Sequence, residues 1–328
     1  MLNLIAEARA RGASDVHLAA GKLPVMRLHG QLQAMAEIPM TAVQLEQSLR
    51  GLLSEQLLAE LHRSGEVDAA LSEAQGGRLR LNAYRQSGSY AVAVRLLADR
   101  IPGCEELGLP AAVQQLAALE SGLVLVTGST GSGKSTTLAA LVQKINSTRS
   151  VHVLTLEDPI EYVYPSGRAL INQREVGRDT ESFASGLRSA LRQDPDVILV
   201  GELRDAEAMA IALTAAETGH LVLATLHTQD AVSSVTRLVE LLPERQQQVR
   251  AQLAECLQAV VCQRLLPRAD GHGRAAAFEV LIATPALRNL IREAKTHQLV
   301  SYMQTGKQYG MVLMEAYIDS LRQKGVIR

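Results

Sequence analysis

The chain has 328 residues, 47% hydrophobic and 20% charged, with 33 Lys and Arg against 34 Asp and Glu. This balance excludes a disordered chain, and a net charge of −1 argues against a dedicated nucleic-acid binder, whose affinity rests on surplus Lys and Arg. Three scattered cysteines, no apolar run of about 20 residues and no signal-peptide pattern in MLNLIAEARARGASD predict a cytoplasmic protein with reduced thiols.

Residues 1–97 read as a small α+β unit. An apolar-periodic segment with Leu2, Ile5 and Ala6 opens it, and candidate strands follow at 15–19, 24–29 and 31–35. Helical patterns come next at 42–51 and 54–63, the first preceded by Thr41 as a cap. Strands resume at 66–72, 77–85 and 89–97, where RLRLNAY and YAVAVRLL alternate apolar and polar residues. The segment ADRIPGCEELGLP (98–110), with its prolines and glycines, reads as a linker to a second domain over 111–328.

From about residue 120 the pattern becomes short apolar runs alternating with helices: LVLVT (123–127), VHVLTL (151–156), DVILV (196–200) and HLVLAT (220–225). Between them, ESFASGLRSALR places Phe183, Leu187, Ala190 and Leu191 on one helical face. Strands without alternation, separated by helices, imply a parallel sheet buried on both faces. Beyond 243 the pattern is mostly helical, with a strand pair expected near 258–265 and 274–281.

GSTGSGKSTT (128–137) fits the phosphate-loop pattern between a strand and a helix. Gly128, Gly131 and Gly133 allow successive N–H groups of the loop, through Ser129, Thr130 and Ser132, to converge on phosphate oxygens. Lys134 supplies charge, Ser135 a Mg²⁺ ligand, and the helix beginning there, with Thr136 in its first turn, its positive end. Glu202, ending the run DVILVGE, stands where a Walker-B acid belongs, with Gly201 where many such ATPases carry Asp. TLEDPIEY groups Glu157, Asp158 and Glu161 at another strand end, either as a water-orienting site or as a solvated turn. His220 and His227 flank the run HLVLAT, and His227, past its carboxyl end, is the better placed to sense a γ-phosphate. Arg78, Arg80, Arg85 and Arg95 on the two N-terminal strands read as solvated charges or as cations offered to a neighbouring subunit's nucleotide.

Taken in order, SDVHL (14–18), RLRLNAY, GSTGSGKSTT, TLEDPIEY, DPDVILVGELRD (194–205) and TAAETGHLVLATLHT (214–228) resemble the secretion ATPase superfamily of type II secretion and type IV pili. TPALRNLIRE (284–293) and MQTGKQYGM (303–311) resemble the pilus retraction branch, the PilT group, and the chain lacks the four-cysteine zinc module common in the assembly and secretion branches. The resemblance implies a PAS-like N-terminal α+β domain, a RecA-like P-loop ATPase domain, and a homohexamer binding ATP and Mg²⁺ between neighbours. It implies Glu161 as the water-positioning carboxylate, Glu202 as the Walker-B acid, His220 and His227 as a histidine box, and Arg80 and Arg95 as trans-acting cations. Ser87 before Gly88 departs from members that carry Arg in that turn, which leaves Arg85 without an assigned role.

The expected function is an ATP-hydrolysing motor that depolymerises type IV pili, peripheral at the inner membrane and acting on its platform protein, alone or with a paralogous pilus motor. The alternative is a low-turnover accessory subunit modulating another motor. A RecA-like nucleic-acid translocase is disfavoured by the charge balance.

Overall fold

Alternation in the first hundred residues builds an antiparallel sheet with one face covered. The computed structural model describes residues 1–28, 30–72, 77–97, 100–271 and 273–328, so His29 of the expected strand 24–29, and Ala98 and Asp99 of the 98–110 segment, lie outside the described residues. It divides into Met1–Arg100 and Ile101–Arg328.

The first unit runs α1 (Leu2–Ala10), β1 (Asp15–Ala19), β2 (Val25–Leu28), β3 (Gln31–Ala34), α2 (Ala42–Leu52), α3 (Glu55–Ser64), β4 (Glu66–Ser72), β5 (Arg78–Gln86) and β6 (Ser89–Leu96). Its sheet order is β3-β2-β1-β6-β5-β4, every pair antiparallel. One side chain in two faces the helices: Val16, Leu18, Leu79, Leu81 and Val94 share a core with Ile5, Leu45, Leu49 and Leu61. Thr41 and Gln44 form a capping box at the start of α2, and Gly65 in the left-handed conformation ends α3.

The second unit runs α4 (Ala111–Gln115), β7 (Gly122–Thr127), α5 (Lys134–Thr148), β8 (His152–Glu157), β9 (Leu170–Glu175), α6 (Phe183–Ala190), β10 (Val197–Val200), α7 (Ala206–Glu217) and β11 (Leu221–Leu226). It continues through α8 (Ala231–Glu240), α9 (Gln246–Cys256), β12 (Leu257–Pro267), β13 (Arg274–Ile282), α10 (Pro285–Arg292), α11 (Leu299–Thr305) and α12 (Met314–Gln323). The sheet order is β13-β12-β7-β11-β10-β8-β9, parallel except for the β12–β13 hairpin. Alternate residues of the buried strands serve two cores. Leu123, Leu125, Ile198, Val222 and Val260 pack toward α6–α10, whereas Val124, Val126, Leu199, Leu223 and Val261 pack toward α4 and α5. The edge strand β9 is absent from the sequence reading: LINQRE is mostly polar and part-exposed, so neither an apolar run nor clean alternation marks it. No helix among the described residues is long and apolar enough to cross a membrane.

A buried carboxylate ties the far side of this unit together. Glu279 on β13, 8% exposed, accepts the Ala231 N–H at 2.8 Å and the Met314 N–H at 3.2 Å, the first residues of α8 and α12. Leu313, the residue before α12, has no polar side chain to cap it. Replacing Glu279 with Leu strands two donors, each costing about 1–3 kcal/mol. Glu279→Leu is therefore expected to lower the free energy of unfolding by about 3 kcal/mol in all, read as a lower urea midpoint followed by circular dichroism.

Candidate functional site

Parallel pairing sets the strand ends level. Leu226 lies opposite Thr127, and Val200 lies between Leu156 and Ala224, so the loops after β7, β8, β10 and β11 leave the sheet at one edge. That edge is where an open α/β sheet binds ligands.

The loop after β7 holds Gly128 (φ 143°), Gly131 (φ 76°) and Gly133 (φ 90°) before α5 begins at Lys134. Such angles are costly for other residues, and they turn the backbone into a nest at a helix N-terminus. Lys134 is 8% exposed, and its ammonium donates to the carbonyls of Gly128 (2.8 Å) and Ser129 (3.0 Å). Burial lowers its pKa, while the charges of Glu202 and Glu161 act in the opposite direction. The loop also carries exposed Ser129 and Thr130 and the buried Ser132 hydroxyl, which lacks a protein partner. Ser135 and Thr136 follow in the first turn of α5, the Ser135 side chain exposed.

The acidic segment after β8 is laid along α5 and tied at both ends. The Tyr162 and Thr136 hydroxyls are 3.0 Å apart at the first turn of the helix. At its last turn, Asn146 Nδ2 donates to the Pro165 carbonyl at 2.8 Å, and its Oδ1 lies against Gly167 where any Cβ would clash. Gln173 of β9 donates to the Tyr162 carbonyl (2.8 Å) and to Glu157 (3.2 Å), and Thr155 donates to Glu157 at 2.7 Å. Burial raises the Glu157 pKa despite those hydrogen bonds. Glu157 thus anchors the segment from beneath, and Glu161 is the carboxylate close enough to act on Lys134. Tyr162, Asn146 and Gln173 were not singled out from sequence, because no motif distinguishes a hydroxyl or amide that braces a loop.

Past β10, the Gly201 N–H donates to Leu156 O at 2.7 Å, and a Cβ on Gly201 would come within 3.2 Å of that same oxygen. The close approach of the two strand ends leaves little room for a side chain at Gly201. Both oxygens of Glu202 are engaged: Arg204 Nε donates to Oε2 at 2.7 Å, and His227 Nε2 lies 3.1 Å from Oε1. Arg204 also lies 3.8 Å from Asp158, linking the two acidic loops. Ser135 and Glu202 are hard oxygen donors of the kind Mg²⁺ takes. Among the described residues, no cluster of three His, Cys, Asp or Glu is placed to hold a metal.

Two expected groups lie elsewhere. His220 precedes β11, and six strand residues, about 20 Å, separate it from the edge that His227 reaches. Its ring is tied instead to Ala215 O at 3.0 Å. The chain therefore brings one of the two histidines, His227, to the strand ends beside Glu202. Arg80 and Arg95 belong to the N-terminal sheet, where they stand directly opposite each other across β5 and β6. Like charges so paired destabilise a sheet, and each is offset by an aspartate, Arg80 by Asp68 at 3.5 Å and Arg95 by Asp15 at 3.1 Å. Arg27 lies 4.0 Å from Asp15, extending an exposed row of charge.

ALRNLIRE forms α10. Leu287, Leu290 and Ile291 are buried, Arg288 donates to Ala283 O (2.9 Å) and Ala254 O (3.0 Å), and Arg292 meets Glu255 at 2.6 Å. The signature thus fastens α10 to the end of α9.

The profile of the family described as "Type II/IV secretion system protein" matches residues 2–309. Over 316 residues the chain is 49% identical to the uncharacterized protein YggR of Escherichia coli, covering 96% of each. Over 325 residues it is 43% identical to the Pseudomonas aeruginosa protein named "Type IV pilus retractation ATPase PilT", covering 99% of this chain and 94% of that one. A crystal structure of the pilus retraction motor PilT with bound ADP superposes with a TM-score of 0.93 at 45% identity, covering 100% of this chain and 94% of that chain.

A raised carboxylate pKa leaves a pH signature. Below the usual carboxylate range Glu157 is protonated folded or unfolded; as pH rises through its raised folded value, the buried group must ionise and stability is lost. Glu157→Gln keeps the acceptor for Thr155 and Gln173 without the charge. Its thermal midpoint is expected to exceed that of the native chain at about pH 8, with the gap closing towards about pH 4.

Proposed function

The chain belongs to the type II/IV secretion system protein family as a PilT-type P-loop ATPase, and on that premise we propose that it powers retraction of a type IV pilus. The observation that carries this reading is the meeting of the phosphate loop, Glu161, Glu202 and His227 at one sheet edge, in a chain that holds the α10 signature.

The chemistry is ATP + H₂O to ADP and phosphate. Loop N–H groups from Gly128 to Thr136, the α5 N-terminus and the Lys134 ammonium bind and neutralise phosphate oxygens. Mg²⁺, carried with the nucleotide, would be held by Ser135 and approached by Glu202, and it supplies charge neutralisation between the phosphates. Glu161, fixed by the ties at Thr136 and Gln173, orients the attacking water and accepts its proton. His227, in contact with Glu202, reports the state of the γ-phosphate to the start of α8.

The first unit, residues 1–97, is read as a PAS-like domain and 111–328 as a RecA-like domain, joined by 98–110. In a homohexamer, Arg80 and Arg95 of one subunit are offered to its neighbour's nucleotide. His220, remote from its own subunit's phosphate loop, belongs with that interface. The motor works in the cytoplasm against the inner-membrane platform protein, alone or beside a paralogous pilus motor.

A second reading, a low-turnover accessory subunit, is favoured by one feature: the β5–β6 turn has Ser87 at φ 49° and no arginine before Gly88. Turnover by the purified chain separates the two readings.

Glu161→Gln and Glu202→Gln are each expected to lower ATP turnover about a hundredfold while ADP still binds, measured by phosphate release and calorimetry. Deleting the gene in its host is expected to increase surface pili counted by electron microscopy and to abolish twitching. A loss of surface pili would reverse the direction of work.

A further inference from the structure

A phosphate loop binds well only if its N–H groups are held in their converging arrangement. One residue outside every motif touches both ends of this loop. β12 runs parallel beside β7 with Cys262 opposite Thr127, so the next residue, Gln263, is level with Gly128. Strand alternation sends Cys262 to the α8 side, where Thr127 Oγ1 donates to its sulfur at 3.0 Å, and sends Gln263 to the α5 side.

There Gln263 is 4% exposed. Its Oε1 accepts from Thr137 Oγ1 at 2.6 Å, in the first turn of α5. Its Nε2 lies 2.7 Å from where a Cβ on Gly133 would stand, and its main-chain oxygen lies against the same position on Gly128. The loop therefore leaves the sheet against the main chain of Gln263 and enters the helix against its side chain. These contacts also account for the lack of side chains at Gly128 and Gly133, beyond their positive φ. Burying an amide is unfavourable unless it is hydrogen-bonded, and the bond this one makes ends on the nucleotide-binding helix.

We propose that Gln263 is a positioning residue for nucleotide binding, fixing the phosphate loop through Gly133 and Thr137. The proposal rests on the phosphate loop being the nucleotide site. It acts on the ground-state grip on phosphate and not on the attacking water, so affinity and KM change while kcat stays close to native.

The test uses the purified full chain, ADP titration by calorimetry, ATPase kinetics and thermal midpoints. Gln263→Leu, close in volume, is expected to weaken ADP binding and raise the ATP KM by about tenfold, and Thr137→Val by about threefold, with kcat within about twofold. Because the two side chains share one bond, the double variant is expected to bind ADP no more weakly than Gln263→Leu alone. Should Gln263→Leu fail to fold, Thr137→Val carries the test by itself. Unchanged ADP affinity and KM in folded variants, with only a lowered thermal midpoint, would reduce Gln263 to a packing residue and overturn the proposal. So would losses that add in the double variant. Failure of the native chain to bind ADP would instead sink the phosphate-loop reading, and the proposal with it.

Discussion

The in-register parallel pairing of β8, β10, β11 and β7 is the constraint on which the site depends. Main-chain hydrogen bonds set Leu226 opposite Thr127 and Val200 between Leu156 and Ala224, so segments about 100 residues apart in sequence emerge side by side. The pairing is held by two cores and not by one. Odd and even residues of each strand face opposite helical layers, so a shift of one residue would exchange both sets of side chains at once. Leu, Val, Ile and Ala are well suited to this, since strands buried on both faces leave few positions for polar groups.

On that base the catalytic loops are positioned by small polar ties. The segment carrying Glu161 crosses α5 between a hydroxyl pair at Thr136 and an amide at Asn146, and Glu157 holds it from below. Glu202 is clasped between Arg204 and His227, so a change at any one of these groups is felt by the other two. The β12–β13 hairpin serves as a strut behind the whole arrangement. Gln263 on one strand bears on the phosphate loop, while Glu279 on the other holds the starts of α8 and α12. The helix that starts just after His227 and the C-terminal helix are thus fastened to one carboxylate, a physical link between the nucleotide edge and the C-terminal segment.

Much of this was legible in the sequence because the signals are local. LVLVT before GSTGSGKSTT specifies strand, turn and helix within a few residues, and alternation in RLRLNAY places Arg78 and Arg80 on one face. What was not legible depends on distance. β9 has no periodic signature and exists because β8 offers it an edge. HLVLAT already sets His220 and His227 at opposite ends of one strand, but it does not show that the His220 ring is tied to Ala215 O while His227 meets Glu202. Alternation and the family resemblance single out Arg80 and Arg95, but only the β5–β6 register shows that they stand face to face, each beside an aspartate.

The sequence by itself determined the motifs: glycines with the conformational freedom for a phosphate loop, a lysine at its end, acids at strand ends, and ALRNLIRE to mark the branch of the family. Only the tertiary structure decided which of these groups meet, because strand register and loop bracing are non-local. The phosphate loop shows the difference most plainly. Its ten residues declare what it binds, but its shape is completed by Gln263, more than 120 residues further along the chain, brought level with Gly128 by the parallel pairing of β12 with β7.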